Sequence, residues 1–249
     1  PHIGERYGME GSRAAARMRE MVLAIRTIWE AWETGDPLDF RGDFYAHTRM
    51  VPAFDPGPNP YGPPPILTAG VGPLMTEVAG EVADGFLVHP LNTRRSLQDR
   101  PVPSTARAAA RAGRSPADVE LTCVTIVVTG RDEAELERSR EAVRAQLAFY
   151  GTTPAYRPVL DLHGRGHLHG QLKTRARRGE WGETAELIDD EFLEEVAVVG
   201  EPDAIAPALR RRLGGISDHV SLVNNRAPDP GHFVEVVTAL NPRLRRDPG

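Results

Sequence analysis

The chain has 249 residues, 40% of them apolar and 26% charged, the composition of a globular protein with enough apolar content to close a sizeable core. Its formal charge of -5 and pI of about 5.9 leave no basic surplus to neutralise a phosphate backbone, which excludes nucleic acid as the main partner. One cysteine rules out an internal disulfide, and no apolar run approaches the roughly 20 residues a spanning helix needs, so no membrane span is expected and the cytoplasm is the default location.

In residues 12–34, Met18, Met21, Val22, Ile25, Ile28, Trp29 and Trp32 recur at spacings of three and four with charge between them. This predicts an amphipathic helix capped by Ser12 and ended at Gly35. Leu38-Asp39-Phe40 and Phe44-Tyr45 flank Arg41-Gly42-Asp43 and read as a small hairpin. His47 follows, a loop histidine whose ordinary place is in solvent. Residues 52–65 then hold seven prolines and two glycines, an ordered but irregular loop of a length that often carries function.

Residues 64–90 read P-P-I-L-T-A-G-V-G-P-L-M-T-E-V-A-G-E-V-A-D-G-F-L-V-H-P. An apolar run at 66–69 breaks at Gly70-Val71-Gly72, Pro73 stands where a helix would start, and a second apolar run at 86–88 follows Asp84-Gly85. The pattern predicts strand, glycine turn, helix, strand, with the two strands parallel and covered on both faces. Small residues after the first strand let the backbone approach a ligand, and the helix behind them points free amides at it, so an anion is the natural occupant. A tight βα turn without a ligand fits the same spacing. Asp84-Gly85 reads as structural, a cap and a turn.

A helix is expected over 104–112, and the β-branched run 119–128 reads as a third strand with Cys123 buried inside it. Asp132 caps a helix whose inner side is marked by Leu136, Val143, Leu147 and Phe149, ending at Tyr150-Gly151. Residues 150–199 read as helical and irregular by turns. A further helix opens at Gly200-Glu201-Pro202-Asp203 and runs over 204–213; a fourth strand covers 219–223 and a last helix 230–240. Strands alternating with helices mean an α/β sheet or barrel.

Side chains at strand C-termini line the active site of α/β barrels, which makes His89, and beside it Asn92, candidates to face substrate or cofactor. The segment H-G-R-G-H-L-H, with His163, His167 and His169, invites a metal reading, but Gly164 and Gly166 break the helix that its spacing requires, and a polar loop is expected there. Arg175, Arg177 and Arg178 read as a solvated helix face. Lys173 is the only lysine among 30 basic residues, a bias that carries no functional meaning. There is no G-x-S-x-G elbow, paired cysteine or Walker motif.

Taken together and in order, G-M-E-G-S-R-A-A-A-R-M-R-E with A-I-R-T-I-W, then L-D-F-R-G-D-F-Y, P-P-I-L-T-A-G-V-G-P, E-V-A-G-E-V-A-D-G-F-L-V-H-P and V-V-G-E-P-D-A-I resemble the luciferase-like monooxygenase superfamily. The resemblance is nearest to its deazaflavin (coenzyme F420) dependent oxidoreductases, and it covers nearly the whole chain. It implies a TIM-barrel-like (β/α)8 fold with an insertion between strands seven and eight. Members begin well upstream of the segment that matches Pro1, and this chain starts without Met and enters helical sequence with no strand before it. The expectation is therefore a single domain, 1–249, carrying strands five to eight only, with residues 150–199 as the helical insertion. Two strand edges would be open, so self-association into a homo-oligomer is expected.

In relatives the cofactor phosphate lies against the turn after strand five, which here is Thr68, Ala69, Gly70, Val71 and Gly72. Where one relative places a substrate-phosphate contact after strand six, this sequence has His89 and Asn92. The absence of Thr and Lys types there argues against a sugar phosphate. Residues around the deazaflavin ring come mainly from strands two to four, so no catalytic acid or base is assigned. The implied function is hydride transfer between reduced coenzyme F420 and a small organic substrate, with FMN-dependent monooxygenation as the alternative in the same fold. A non-catalytic flavin-binding or truncated paralogue is the alternative of another class.

Overall fold

The computed structural model describes residues 13–224 and 231–241. Two compact units organise the chain, one made of the residues up to Phe86 with Pro103–Glu120, the other of Leu87–Val102 and the residues from Leu121 onward.

The first unit opens with α1 (Ala14–Thr34), which ends where Gly35, at φ 75°, donates its amide to Ala31 O. Ser12, the expected cap, lies outside the described residues, and the N-cap position is held by Arg13 in the left-handed region without a side-chain cap. The hairpin appears as β1 (Phe40–Arg41) and β2 (Ala46–His47), antiparallel with Phe40 opposite His47. Glu20 of α1 fastens its turn: the carboxylate accepts the amides of Asp43, Phe44 and Tyr45 at 2.9, 2.6 and 2.7 Å. Desolvation pushes that carboxyl up, and the three amides outweigh it and hold the pKa below the usual range. Next come β3 (Leu67–Gly70), α2 (Pro73–Val82) and the start of β4 (Gly85–Val88), as the sequence predicts. Val22 of α1 packs on Val78 and Val82 of α2, with Met18 and Ile66 against them.

Asp84 does more than turn the chain. Its amide donates to Ile66 O at 2.8 Å, its Oδ2 accepts the Ile66 amide at 2.7 Å, and its Oδ1 accepts from Arg26 of α1 at 2.7 Å. Arg114, beyond α4 (Pro101–Arg111), donates to the last carbonyls of α2, Gly80 O and Ala83 O, at 2.8 and 2.7 Å.

In the second unit β5 (Glu120–Thr129) is the long strand, and Cys123 lies buried in it, where desolvation raises the thiol pKa. It pairs in parallel with β7 (His219–Val223) from Thr122↔His219 to Ile126↔Val223, and with β6 (Val198–Gly200) from Val127↔Val198 to Thr129↔Gly200. β6 is an addition to the four strands expected. Asp218 repeats the Asp84 arrangement: its amide donates to Leu121 O at 2.9 Å and its Oδ2 accepts the Leu121 amide at 2.8 Å. The helix α5 (Glu133–Gly151) is capped by Asp132, whose Oδ1 accepts the Glu135 amide at 2.7 Å. Val143, Leu147 and Ala148 of α5 enter the core with Ile126, Val128, Leu160, Leu172, Phe192 and Leu193. Phe149 does not: it is 55% exposed, because two residues after Leu147 is about 200° around a helix.

Residues 150–199 are mostly helical, as α6 (Arg157–Leu162), α7 (Gly166–Arg177), α8 (Trp181–Ala185) and α9 (Asp190–Val196). The predicted polar loop around His163 is therefore corrected. Gly164 and Gly166 mark only the short break between α6 and α7, and His167 and His169 ride on α7. Arg175 and Arg177 are in the last turn of α7, with Arg177 and Arg178 exposed. The chain continues through α10 (Pro202–Leu213), β7 and α11 (Gly231–Leu240).

Candidate functional site

The turn between β3 and α2 belongs to the first unit. Thr68 is buried and its Oγ1 has no partner among the described residues, while Ala69, Val71 and Gly72 are exposed and Gly70 is half-buried. Gly72 is the N-cap of α2 at φ 94°, a conformation L side chains rarely adopt, and offers no side-chain cap. A Cβ on Gly70 would lie 2.5 Å from the Cβ of Met75, so the backbone approaches the helix as closely as it can. Pro73 takes the first helical position, where its missing amide costs nothing, and the Gly72 carbonyl accepts the Thr76 amide at 3.3 Å and the Thr76 hydroxyl at 3.0 Å. The helix start leaves the amides of Leu74 and Met75 without an intrahelical acceptor beside an exposed glycine turn. Free amides at a helix start are the local chemistry from which anion sites are built.

His89 and Asn92 belong to the second unit, in the loop after β4. The His89 ring stacks on Tyr156 with centroids 4.2 Å apart and meets Tyr150 edge-on at 4.8 Å. Its Nδ1 accepts the Leu91 amide at 3.1 Å, so the neutral ring carries its proton on Nε2. Desolvation pushes the His89 pKa down to about 4, and burial raises that of the Tyr156 phenol. At neutral pH the ring is an uncharged hydrogen-bond donor in an aromatic setting.

Asn92 is buried, and its Nδ2 donates to His89 O at 2.7 Å and to Val124 O of β5 at 3.0 Å. Its backbone carbonyl accepts from Arg212 Nη2 at 2.9 Å, and the same nitrogen donates to Glu195 O at 2.6 Å. Desolvation lowers the Arg212 pKa to about 10, which still leaves it charged at neutral pH. Thr93 caps α3 (Arg94–Asp99) through its Oγ1, which accepts the Ser96 amide at 3.0 Å and lies 2.9 Å from His163 Nε2. The other ring nitrogen of His163 faces the Glu195 carboxylate. Burial pulls the His163 pKa down and Glu195 opposes it. Thr93, His163 and Glu195 thus form a chain of three polar groups beside a cavity of about 460 Å³ that Arg94, Arg95 and Arg212 also line. Thr93 is no nucleophile, because its hydroxyl is buried and already caps a helix. The chain of bonds holds the 89–93 loop in place.

Sequence reasoning picks out His89 and Asn92, weighs His163 only for a metal, and misses Arg212, Glu195, Tyr150 and Tyr156. These come from distant parts of the chain and no local spacing marks them. Among the described residues, no group of three His, Cys, Asp or Glu side chains is placed to hold a metal, and no helix is long and apolar enough to cross a membrane.

The model of a family described as luciferase-like monooxygenase matches residues 1–216. The uncharacterized protein Rv1360 of Mycobacterium tuberculosis is 49% identical over 220 residues, 88% of this chain and 65% of its own length. Among solved structures, the coenzyme F420 dependent tetrahydromethanopterin reductase from Methanopyrus kandleri superposes with a TM-score of 0.68 at 21% identity, over 89% of this chain and 61% of its own. The EDTA monooxygenase EmoA from Chelativorans sp. BNC1 does so with a TM-score of 0.66 at 17% identity, over 98% and 64%. The chain thus spans somewhat under two thirds of the length of each.

Proposed function

Because the chain belongs to the luciferase-like monooxygenase family, we propose that the protein transfers a hydride between reduced coenzyme F420 and a small organic substrate. The observation that carries the reading is the β3–α2 turn, where Thr68, Ala69, Gly70, Val71 and Gly72 lead through an exposed glycine turn to the free amides of Leu74 and Met75 at the start of α2, the surroundings that a cofactor phosphate calls for. In this reading β3, β4, β5 and β7 are strands five to eight of one TIM-type domain, and residues 150–199 are an insertion before the last strand.

The deazaflavin supplies the hydride, and the protein supplies position and electrostatics. The turn binds the phosphate through amides whose helix dipole favours negative charge. His89 presents its Nε2–H to a substrate oxygen from an apolar wall of Tyr150 and Tyr156, where a neutral donor is stronger than in water. Asn92 holds the loop through Nδ2 and keeps its carboxamide oxygen for the substrate.

FMN-dependent monooxygenation is the second reading, since the same fold also carries a monooxygenase, EmoA. Titrating the protein with F420 and with FMN while following cofactor fluorescence separates them. Saturable binding of F420 that weakens at least tenfold in Gly72→Val supports the proposal. Binding of FMN alone favours the monooxygenase, and binding of neither by the full-length protein favours a non-catalytic paralogue.

A further inference from the structure

A second cavity, of about 580 Å³, lies between the C-terminal half of α1 and the proline loop. Its volume is that of a small-molecule site. Trp29 and Trp32 of α1 form one wall, and Pro56, Pro58, Pro60 and Pro63 are among the residues of the other. Proline rings have no rotamers to lose, so this wall is rigid before anything binds. The cavity sits at the approach to β3, whereas the glycine turn follows its far end, four residues or about 13 Å along the strand. It is therefore a place apart from the proposed cofactor turn.

Its lining carries one basic and two acidic side chains. Arg26, the one basic residue in the lining, turns its guanidinium away to Asp84 Oδ1 and Val82 O, at 2.7 and 3.1 Å. Glu30 and Glu33 remain, both exposed at the mouth on successive turns of α1. Glu33 accepts only the Asn59 amide, at 3.2 Å, among the bonds its carboxylate makes in the described residues. Aromatic faces beneath carboxylates attract a positive group that carries apolar surface.

We propose that this cavity binds a small organic cation, an ammonium group on an apolar or aromatic body, with the body between the tryptophans and prolines and the charge toward Glu30 and Glu33. The ring faces contribute by cation–π attraction, and the carboxylates select the sign.

The test uses the whole chain with Trp181→Phe, which leaves Trp29 and Trp32 as its tryptophans. Benzyltrimethylammonium, neutral neopentylbenzene and anionic phenylacetate are titrated against tryptophan emission. The ammonium should give a saturable change, with the neutral isostere about tenfold weaker, the size of a favourable cation–π contact, and phenylacetate weaker still. Glu30→Gln with Glu33→Gln should reduce that preference to the share contributed by the ring faces while leaving the neutral probe's affinity unchanged. Both side chains are exposed, and the carboxamide introduced by Glu33→Gln keeps an acceptor for the Asn59 amide, so the fold is not at risk; far-UV circular dichroism checks it. Equal affinity for all three probes, no saturable change, or an unaltered preference in the double variant would overturn the proposal.

Discussion

Lowering the pH from about 6.5 to about 4 should cost the protein about 3 kcal/mol through His89 alone. The imidazole of the unfolded chain takes a proton near 6.5, whereas in the folded chain burial against Tyr156 and Tyr150 delays it to about 4. Between these values the unfolded state holds more protons. His89 therefore leaves stability at its full value above about pH 6.5 and lowers it steadily as the pH falls through the window. The protonated ring would also have to release the Leu91 amide, which Nδ1 now accepts. His163 acts in the same direction, so the comparison must be with a variant. His89→Phe keeps the stacking and removes the titration. Its stability will be offset by the unpaired Leu91 amide, but only the slope with pH matters. Urea unfolding at pH steps across the window should show the wild type losing about 3 kcal/mol more than the variant, and the His89 ring protons of the folded protein should not titrate above about pH 5. Parallel losses in the two proteins, or a ring that titrates near 6.5, would refute the reasoning.

Gly80→Ala should destabilise by about 2–3 kcal/mol, because the added methyl would lie 2.4 Å from Thr105 O and 2.7 Å from Ala108 Cβ and force α2 from α4; since alanine is the better helix former, a raised melting temperature would contradict that close approach. Asp84→Ala should cost about 2–3 kcal/mol by unpairing the Ile66 amide and taking the carboxylate from Arg26, which keeps only Val82 O, and Asp84→Asn roughly half, since an amide oxygen can still accept from Ile66; equal losses in urea unfolding would count against the division of roles. Arg212→Met leaves Asn92 O and Glu195 O without their donor and should cost about 2 kcal/mol while shifting the His89 ring resonances. A stability-neutral Arg212→Met with unmoved resonances would mean that burying the charge cancels its bonds.

Much of this was legible where signals are local. Residue spacing finds α1, Gly35 ends it, Asp132 caps α5, and the run from Ile66 to Val88 folds as strand, turn, helix and strand. Three failures share a cause. β6 is three residues long and exists by pairing with Val127 to Thr129, about 70 positions earlier, so no run of its own announces it. Phe149 is apolar, but its angle around α5 places it outside. His163 sits among glycines and arginines in sequence and among Thr93, Glu195 and Phe192 in space, which no spacing encodes. The glycine turn was readable because its demand is on the backbone itself.

The paired bonds made by Asp84 and by Asp218 bear on how short strands avoid misalignment. Two unlike segments, A-D-G-F-L-V and S-D-H-V-S-L-V, reach the same solution: an aspartate just ahead of a strand exchanges bonds with a residue within one position of the start of an earlier one. A slip of one residue moves the carboxylate about 3.3 Å along the strand and breaks both bonds together. It also turns every side chain to the wrong face. The aspartate therefore works as a detent, fixing the register of each strand from its first residues.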